Sequence, residues 1–327
     1  MKNNCNIGFL LDSPRRDLEG ICNIAEELTK NKFNVFILPT YTQAFDLFAN
    51  KISICVFNYC RSNNAWIILM CKLFGIKVVI LDTEGNPNNL NIISSIIKQS
   101  KANHLCDLYL FWGKSQLNSI SDHLISKERK KITGQPRFEK IFQYNSNKIN
   151  NNTILFNTNF SIINPKYSNF RNELIDRHTV TKEKLYKIKK LAIQHKQALN
   201  IFIESLCYVS QNFPKLKIKV RVHPFEEEKY YADVIKKNNL INVSISDTLT
   251  SINDIYNSDI LVQSDCNTSL EAALINKPNL NLNFKDLKFR SEYIAKISAL
   301  QINNLLELKK TINNLIEKKI KYQINDI

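Results

Sequence analysis

The chain has 327 residues, 44% apolar and 10% aromatic, which suits two α/β domains of ordinary size and is unlike a disordered protein. It holds no run of about 18 apolar residues, so no segment reads as a membrane-spanning helix. Its formal charge of +15 suits nucleic acid, an anionic membrane surface or an anionic small ligand, but saturation with Lys, Asn and Ile can itself produce such a bias.

The first apolar run, NIGFLLD (6–12), is too short for a signal peptide and reads as a strand. Helical spacing follows over 18–31, then a strand at 34–39, a helix over 41–50 and a strand at 52–59. A helix through NAWIILMCKLFG ends on Gly75. KVVILD (77–82), a helix over 90–102, LYLFWG (108–113) and a helix over 114–126 complete the series. Strands apolar on both faces, alternating with helices, predict a doubly wound parallel α/β domain over 1–143, which KKITGQPRFEKIFQ (130–143) closes. The polar, Asn-rich stretch 144–152 reads as a linker.

A second alternating series fills 153–327. Its strands are TILFNTNF (153–160), KIKVRVH (217–223), NVSIS (242–246), DILVQS (259–264) and PNLNLNF (278–284). Helices are expected over about 170–193, 195–212, 226–238, 250–257, 268–276 and 302–321. Eight scattered cysteines contain no C-x-x-C pair, which suits free thiols in a reducing cytoplasm better than a disulfide framework or zinc site. Lysines cluster at 181–196 and 309–322. They are either solvated helix faces or a surface that rests on anionic lipid.

Two Rossmann-like domains in tandem imply a cleft, and in such sheets ligands bind beyond the carboxyl ends of the strands. In the first domain those ends carry Asp12, followed by Arg15 and Arg16, and then Asp82 and Glu84 in LDTEG. A carboxylate there could take a proton from a hydroxyl, or simply brace the loop. Asp12 could hold a sugar hydroxyl. In the second domain the ends carry Asn157, Thr158 and Asn159; Arg221 and His223 in VRVHP; and Ser264, Asp265, Asn267, Thr268 and Ser269 in QSDCNTSLEAALINKP. Thr268 or Ser269 can cap a helix whose start would receive phosphate, though ordinary capping needs no ligand. Glu271 in its first turn could accept ribose or sugar hydroxyls. His223, stiffened by Pro224, could donate to a leaving phosphate. Glu226 to Glu228 read as a helix start.

LDTEG, TGQPRFEKIF, ILFNTNF, VRVHPFEE and QSDCNTSLEAALINKPNLNL together resemble the bacterial surface carbohydrate biosynthesis protein family, with GT-B architecture, over roughly residues 5–285. Similar acidic, His-Pro and Ser/Thr motifs recur in GT-B sialyltransferases and Kdo transferases. That resemblance implies Glu84 or Asp82 as base, His223 on the donor phosphate, and Thr268 with Ser269 on phosphate or carboxylate. The chain departs from the pattern at Thr83, where an acidic residue is common, and at Ser269, where glycine is frequent.

The expectation is a cytoplasmic glycosyltransferase, peripheral at the inner membrane face, that builds surface polysaccharide or lipopolysaccharide. It would move a sugar, such as a CMP-activated ulosonic acid, from a nucleotide sugar to a glycan or glycolipid acceptor with inversion. No cofactor, no catalytic metal and no nucleic-acid partner are expected. The alternatives are a nucleotide-sugar 2-epimerase or a CDP-polyol phosphotransferase on the same fold, and a non-catalytic basic binding protein.

Overall fold

The computed structural model describes residues 5–40, 42–83, 97–98, 100–143, 152–167, 182–248, 250–284 and 293–317. The chain divides into two compact units, Met1–Lys140 and Ile141–Ile327. Residues 144–151, most of the expected linker, lie outside the described residues.

Unit 1 is built on a parallel sheet of β1 (Asn6–Leu11), β2 (Asn34–Pro39), β3 (Ile54–Phe57), β4 (Lys77–Leu81), β5 (Leu108–Phe111) and β6 (Lys130–Ile132), in the order β2-β1-β3-β4-β5-β6. Its strands are apolar on both faces because both are covered. Helix α1 (Pro14–Lys30) packs Ile21 against Ile7 and Phe9. On the opposite face, α2 (Gln43–Ala49) contributes Leu47, and α3 (Ala65–Leu73) contributes Ile67, Ile68 and Cys71, around Leu10, Phe57 and Ile80. Each such side chain contributes roughly 1.5–3 kcal/mol by leaving water. Ser13 and Pro14 start α1, and Asp17 lies in its first turn. A Cβ on Gly20 would lie 2.7 Å from the backbone nitrogen of Arg137, so this glycine lets α1 seat directly on the Pro136–Arg137 turn.

Unit 2 carries β7 (Thr153–Asn157), β8 (Lys217–Arg221), β9 (Val243–Ile245), β10 (Ile260–Gln263), β11 (Asn279–Leu282) and β12 (Leu300–Ile302), all parallel, in the order β12-β11-β10-β7-β8-β9. Counted from β7, this is the 3-2-1-4-5-6 order of nucleotide-binding sheets, and the order reverses between β7 and β10. Helix α5 spans Lys182–Asn212 and lays Leu199, Phe202, Leu206 and Val209 on the sheet. Phe202 meets Phe156 and Phe160 edge to face at 5.5 and 5.3 Å between ring centroids.

The far half of this sheet is pinned by buried amides. Asn281 on β11 pairs with Gln301 on β12 and Gln263 on β10. Its Nδ2 donates to Gln301 Oε1 at 3.0 Å and Asp265 Oδ1 at 3.1 Å, while its Oδ1 accepts from the Asp265 amide at 2.9 Å. Asn279 Nδ2 donates to Ser269 Oγ at 2.6 Å and to the Ser298 carbonyl at 3.1 Å.

The architecture agrees with the expected two Rossmann-like domains of the GT-B class. Several elements differ. The two helices expected over 170–193 and 195–212 are, from Lys182 onward, one continuous helix, with residues 168–181 outside the described part. The helix expected over 114–126 is only α4 (Lys114–Asn118), followed by turns and β6, which had not been expected as a strand. The helix expected from 226 is α6 (Glu228–Lys237), because Glu226 is drawn into the core. Helices α7 (Ser251–Tyr256) and α8 (Thr268–Leu274) occur near their expected places. The last helix, expected over 302–321, is α10 (Leu305–Ile316), and α9 (Tyr293–Ser298) and the edge strand β12, neither of them expected, precede it. Among the described residues no helix is long and apolar enough to cross a membrane.

Candidate functional site

The most densely organised polar region of unit 2 lies where β7, β8 and β10 end, beside the reversal of strand order. Pairing of Asn157 with both Arg221 and Gln263 brings the three following loops together. Thr158 sits at their junction, fully buried. Its amide donates to the Arg221 carbonyl at 3.0 Å, and its hydroxyl accepts from the His223 amide at 2.8 Å. Asn159 Nδ2 donates to the Asp265 carbonyl at 3.1 Å, and Asn157 Nδ2 to Cys266 Sγ at 3.2 Å.

His223 is therefore held from its backbone rather than by chance packing. Its Nδ1 accepts from the Phe225 amide at 3.3 Å, which in the neutral imidazole puts the proton on Nε2. Beneath this turn, Glu226 is 2% exposed. Its Oε1 accepts from the Phe160 amide at 2.6 Å, and its Oε2 accepts from the Tyr231 hydroxyl. Burial pushes its carboxyl up to about 7, against the pull of Tyr231, the Phe160 amide and Thr158. Burial and the neighbouring Glu226 raise the Tyr231 phenol in turn. An antiparallel bridge between Pro165 and Glu226, and a bond from the Lys166 amide to the Phe225 carbonyl at 3.0 Å, close the His223 turn onto the 158–167 loop.

The loop after β10 departs from the expected phosphate cradle. The residue preceding α8 is Asn267, with helical φ −64 and ψ −17 and no side-chain capping bond, so neither Thr268 nor Ser269 caps. The Ser269 and Leu270 amides donate to the Cys266 and Asn267 carbonyls, both at 3.0 Å, which removes two donors from the helix start. Ser269 is fully buried and its hydroxyl bonds Ser298 Oγ and Asn279 Nδ2, both at 2.6 Å; it braces the sheet. Glu271 Oε2 is buried with no protein hydrogen-bond partner, and the buried Thr268 hydroxyl has the Cys266 thiol as its side-chain partner. They stand three residues apart, on one helix face. Ser264 is buried at the end of β10, and Asn267 is exposed.

Arg221 proves structural. It is buried, and its Nη1 bonds Asp254 Oδ2 at 2.7 Å and the Thr248 carbonyl and hydroxyl at 3.1 and 3.0 Å. This commitment gives the Arg221 guanidinium a structural role, bracing the β8 end against Thr248 and Asp254.

In unit 1, Asp82 is half-buried. Its carbonyl accepts from Trp112 Nε1 at 2.5 Å and Gln135 Nε2 at 3.2 Å, and its Oδ2 from Gln116 Nε2 at 3.4 Å. Glu84 lies outside the described residues. Thr83, the departure within LDTEG, is buried; its hydroxyl donates to Asp17 Oδ2 at 3.4 Å and accepts from Arg16 Nη2 at 3.3 Å. Arg16 also grips Asp17 through both carboxylate oxygens, at 2.7 and 2.8 Å. Asp12, exposed, reaches the same guanidinium at 3.3 Å.

Sequence reasoning missed two of these residues. Asp17 was hidden in a run of charged residues, and Glu226 in a run of three glutamates where no spacing signals which one turns inward.

Fold and sheet order together define the GT-B-like class. No family model matches the chain, and no curated protein sequence matches it. Solved structures do. The UDP-GlcNAc 2-epimerase of Methanocaldococcus jannaschii is 13% identical, with a TM-score of 0.58 over 98% of this chain and 95% of that one. The Neisseria meningitidis UDP-GlcNAc 2-epimerase bound to UDP-GlcNAc is 13% identical, with a TM-score of 0.60 over 97% and 93%. A putative UDP-N-acetylglucosamine 2-epimerase of Listeria monocytogenes is 10% identical, with a TM-score of 0.60 over 98% and 90%. At such identities the likeness establishes the fold.

Proposed function

We propose that the chain is an enzyme acting on a nucleotide-activated sugar, with the nucleotide taken by unit 2, and that its first activity is epimerisation at the sugar carbon next to the anomeric centre. The observation that carries the proposal is the buried Glu271 Oε2 on α8, which has no protein hydrogen-bond partner, with Thr268, whose side-chain bond is to the Cys266 thiol, one turn before it. A buried acceptor of this kind ordinarily finds a partner, and a ribose or sugar hydroxyl would supply it. Both residues belong to the loop that Asn157 and Asn159 tie to the turn holding His223. The whole-chain fold likeness to nucleotide-sugar 2-epimerases supports the same choice.

The chemistry begins with cleavage of the anomeric C–O bond, when negative charge develops on the departing nucleotide phosphate. An Nε2–H on His223 is suited to stabilise that charge. A carboxylate, for which we assign Asp82 or Glu84, then removes the neighbouring carbon's proton, leaving a double bond between the two carbons; the proton returns to the other face as the nucleotide phosphate adds back to the anomeric carbon, which restores the C–O bond and inverts the neighbouring centre. Asn157, Asn159, Ser264 and Asn267 are assigned to shaping the nucleotide pocket, and Asp12 to a sugar hydroxyl. No metal or cofactor is required in this scheme.

Transfer to an acceptor shares the same first event, and the LDTEG, VRVHPFEE and QSDCNTSLEAAL motifs favour it as the second reading. In that reading the donor is a nucleotide sugar, such as a CMP-activated ulosonic acid, and the acceptor a surface glycan or glycolipid. Domain boundaries at 1–143 and 153–327 with a 144–152 linker, and membrane contact through lysines of 181–196 and 309–322, belong to the proposal as well.

The test is ligand-detected NMR with UDP, CDP, CMP and GDP on wild type and His223→Ala, followed by incubation of UDP-GlcNAc without acceptor. UDP binding that the variant loses, with acceptor-free formation of the C2 epimer, supports the first reading. CMP selectivity with turnover only when an acceptor is added moves the assignment to the transferase, and CDP selectivity to a polyol-phosphate transferase. Absence of any nucleotide binding rejects the enzyme readings.

A further inference from the structure

We propose that Glu226 is a positioning residue for His223, and that it couples nucleotide binding to the uptake of a proton. This role presupposes the nucleotide site proposed for unit 2. Glu226 grips the turn that carries His223 at both ends. Its amide donates to the His223 carbonyl at 2.8 Å, closing a four-residue turn. Its carboxyl accepts from the Phe160 amide at 2.6 Å and has the Thr158 hydroxyl as a side-chain partner. That hydroxyl accepts from the His223 amide at 2.8 Å. Backbone and carboxyl of one residue thus close a ring through Thr158 and His223. The Phe225 amide, inside the same turn, holds Nδ1 at 3.3 Å, so the turn must stay shut for Nε2–H to be presented to a phosphate. Packing alone would not call for a carboxyl here, because an apolar side chain fills such a space without desolvating an ionisable group.

The groups around the carboxyl leave it without a counter-charge. Facing it are the Tyr231 phenol of α6, the Cys266 thiol after β10 and, through that thiol, Glu271 of α8. Lys166, on the loop bridged to the turn, sends its Nζ over the Tyr167 ring at 5.5 Å from the centroid. Among the described residues no cation pairs with Glu226, and burial favours its protonated form up to about pH 7. A phosphate on His223 Nε2 brings further negative charge to the same turn, which disfavours ionised Glu226 still more. Below about 7 the carboxyl keeps its proton with or without nucleotide, and none is exchanged. Above it the free site has lost the proton and the occupied site regains it, so affinity declines as pH rises.

The experiment has two arms. The first is nitrogen NMR of the full chain carrying labelled histidine, without nucleotide, at pH 8, where imidazoles are ordinarily neutral. The His223 signals are those missing from His223→Ala. Wild type and Glu226→Gln, whose side-chain oxygen can still accept from Phe160, are expected to show the Nε2–H tautomer alone, and Glu226→Ala a mixture of both. Glu226→Asp, one methylene short, replaces the alanine variant if that fails to fold. An unchanged single tautomer in the shortened variant overturns the positioning role. The second arm is calorimetry of UDP, with CMP alongside, in two buffers of different ionisation enthalpy. At pH 8 wild type should take up about one proton more than Glu226→Gln, and between pH 6 and pH 8 it should lose about tenfold more affinity. Equal proton uptake with parallel pH profiles overturns the coupling. Wild type that binds neither nucleotide overturns the coupling together with the function proposed above, while the first arm, read on the free protein, still decides the positioning role.

Discussion

The Glu226 carboxyl group reaches across unit 2 to accept from the backbone amide of Phe160 at 2.6 Å, 66 positions earlier in the chain. That bond ties the end of one strand loop to the turn carrying His223. It does so with a carboxyl that burial pushes up to about 7. In the unfolded chain the same group titrates near the usual glutamate value, about 4.3. The native state therefore keeps its proton over a window in which the unfolded state has lost it. The stabilising contribution is full below about 4.3 and declines as pH rises towards 7, above which both states are ionised. Its full size is roughly 3–4 kcal/mol, most of it still present at pH 5. Urea unfolding of wild type at pH 5 and pH 8 should differ from that of Glu226→Gln by this amount, with the variant lacking the decline. A wild type and variant with parallel pH profiles would show that Glu226 titrates normally.

Removing Arg221 should cost stability before it costs ligand affinity. The Arg221–Asp254 pair is closed at 2.7 Å, with Asp254 fully sheltered. Arg221→Met strands that carboxylate, a change worth about 3–5 kcal/mol. Denaturant titration measures it, and a loss under about 1 kcal/mol would contradict the buried-pair reading.

Ser269 and Thr268 should separate cleanly despite being neighbours. Ser269→Ala breaks bonds to Ser298 and Asn279 inside the sheet and should lower stability by about 1–3 kcal/mol while leaving nucleotide affinity unchanged. Thr268→Val should weaken nucleotide binding with little change in melting temperature. Calorimetric binding and thermal melts on both variants decide the assignment, and the reverse pattern would invert it.

Gly20→Ala ordinarily stabilises a helix, but here the opposite is expected. The new methyl group would press on the Arg137 backbone nitrogen from 2.7 Å, and overpacking of this kind costs about 1–3 kcal/mol. A rise in melting temperature would mean that the Pro136–Arg137 turn yields easily.

The fold was legible because its signal is repetitive. Two-sided apolar strands such as KVVIL and TILFN can only lie in a covered parallel sheet, and both do. Short edge elements carried no such signal: β6 (Lys130–Ile132) and β12 (Leu300–Ile302) are three residues each, with Lys130, Lys131 and Gln301 among them. Asn157, Thr158 and His223 lie in adjoining strand-end loops, as their places after apolar runs suggested, since sheet order decides which loops meet. What residue type could not reveal was direction. Arg221 and Ser269 occur at the expected strand end and helix start, yet both side chains turn inward to satisfy buried partners. Glu226 turns inward where a solvated helix start was expected.

Asn279, Asn281 and Gln263 occupy positions where a parallel sheet would ordinarily carry valine or isoleucine, and all three are fully buried. Branched apolar side chains tolerate a neighbouring frame; amides with assigned partners do not. Sliding β11 by one residue would part Asn281 from Asp265 and Gln301, and Asn279 from Ser269. Each stranded group costs about 1–3 kcal/mol. The amides thus work as a code written across the sheet: the native alignment of β11 is the one in which Asn281 meets Asp265 and Gln301 and Asn279 meets Ser269.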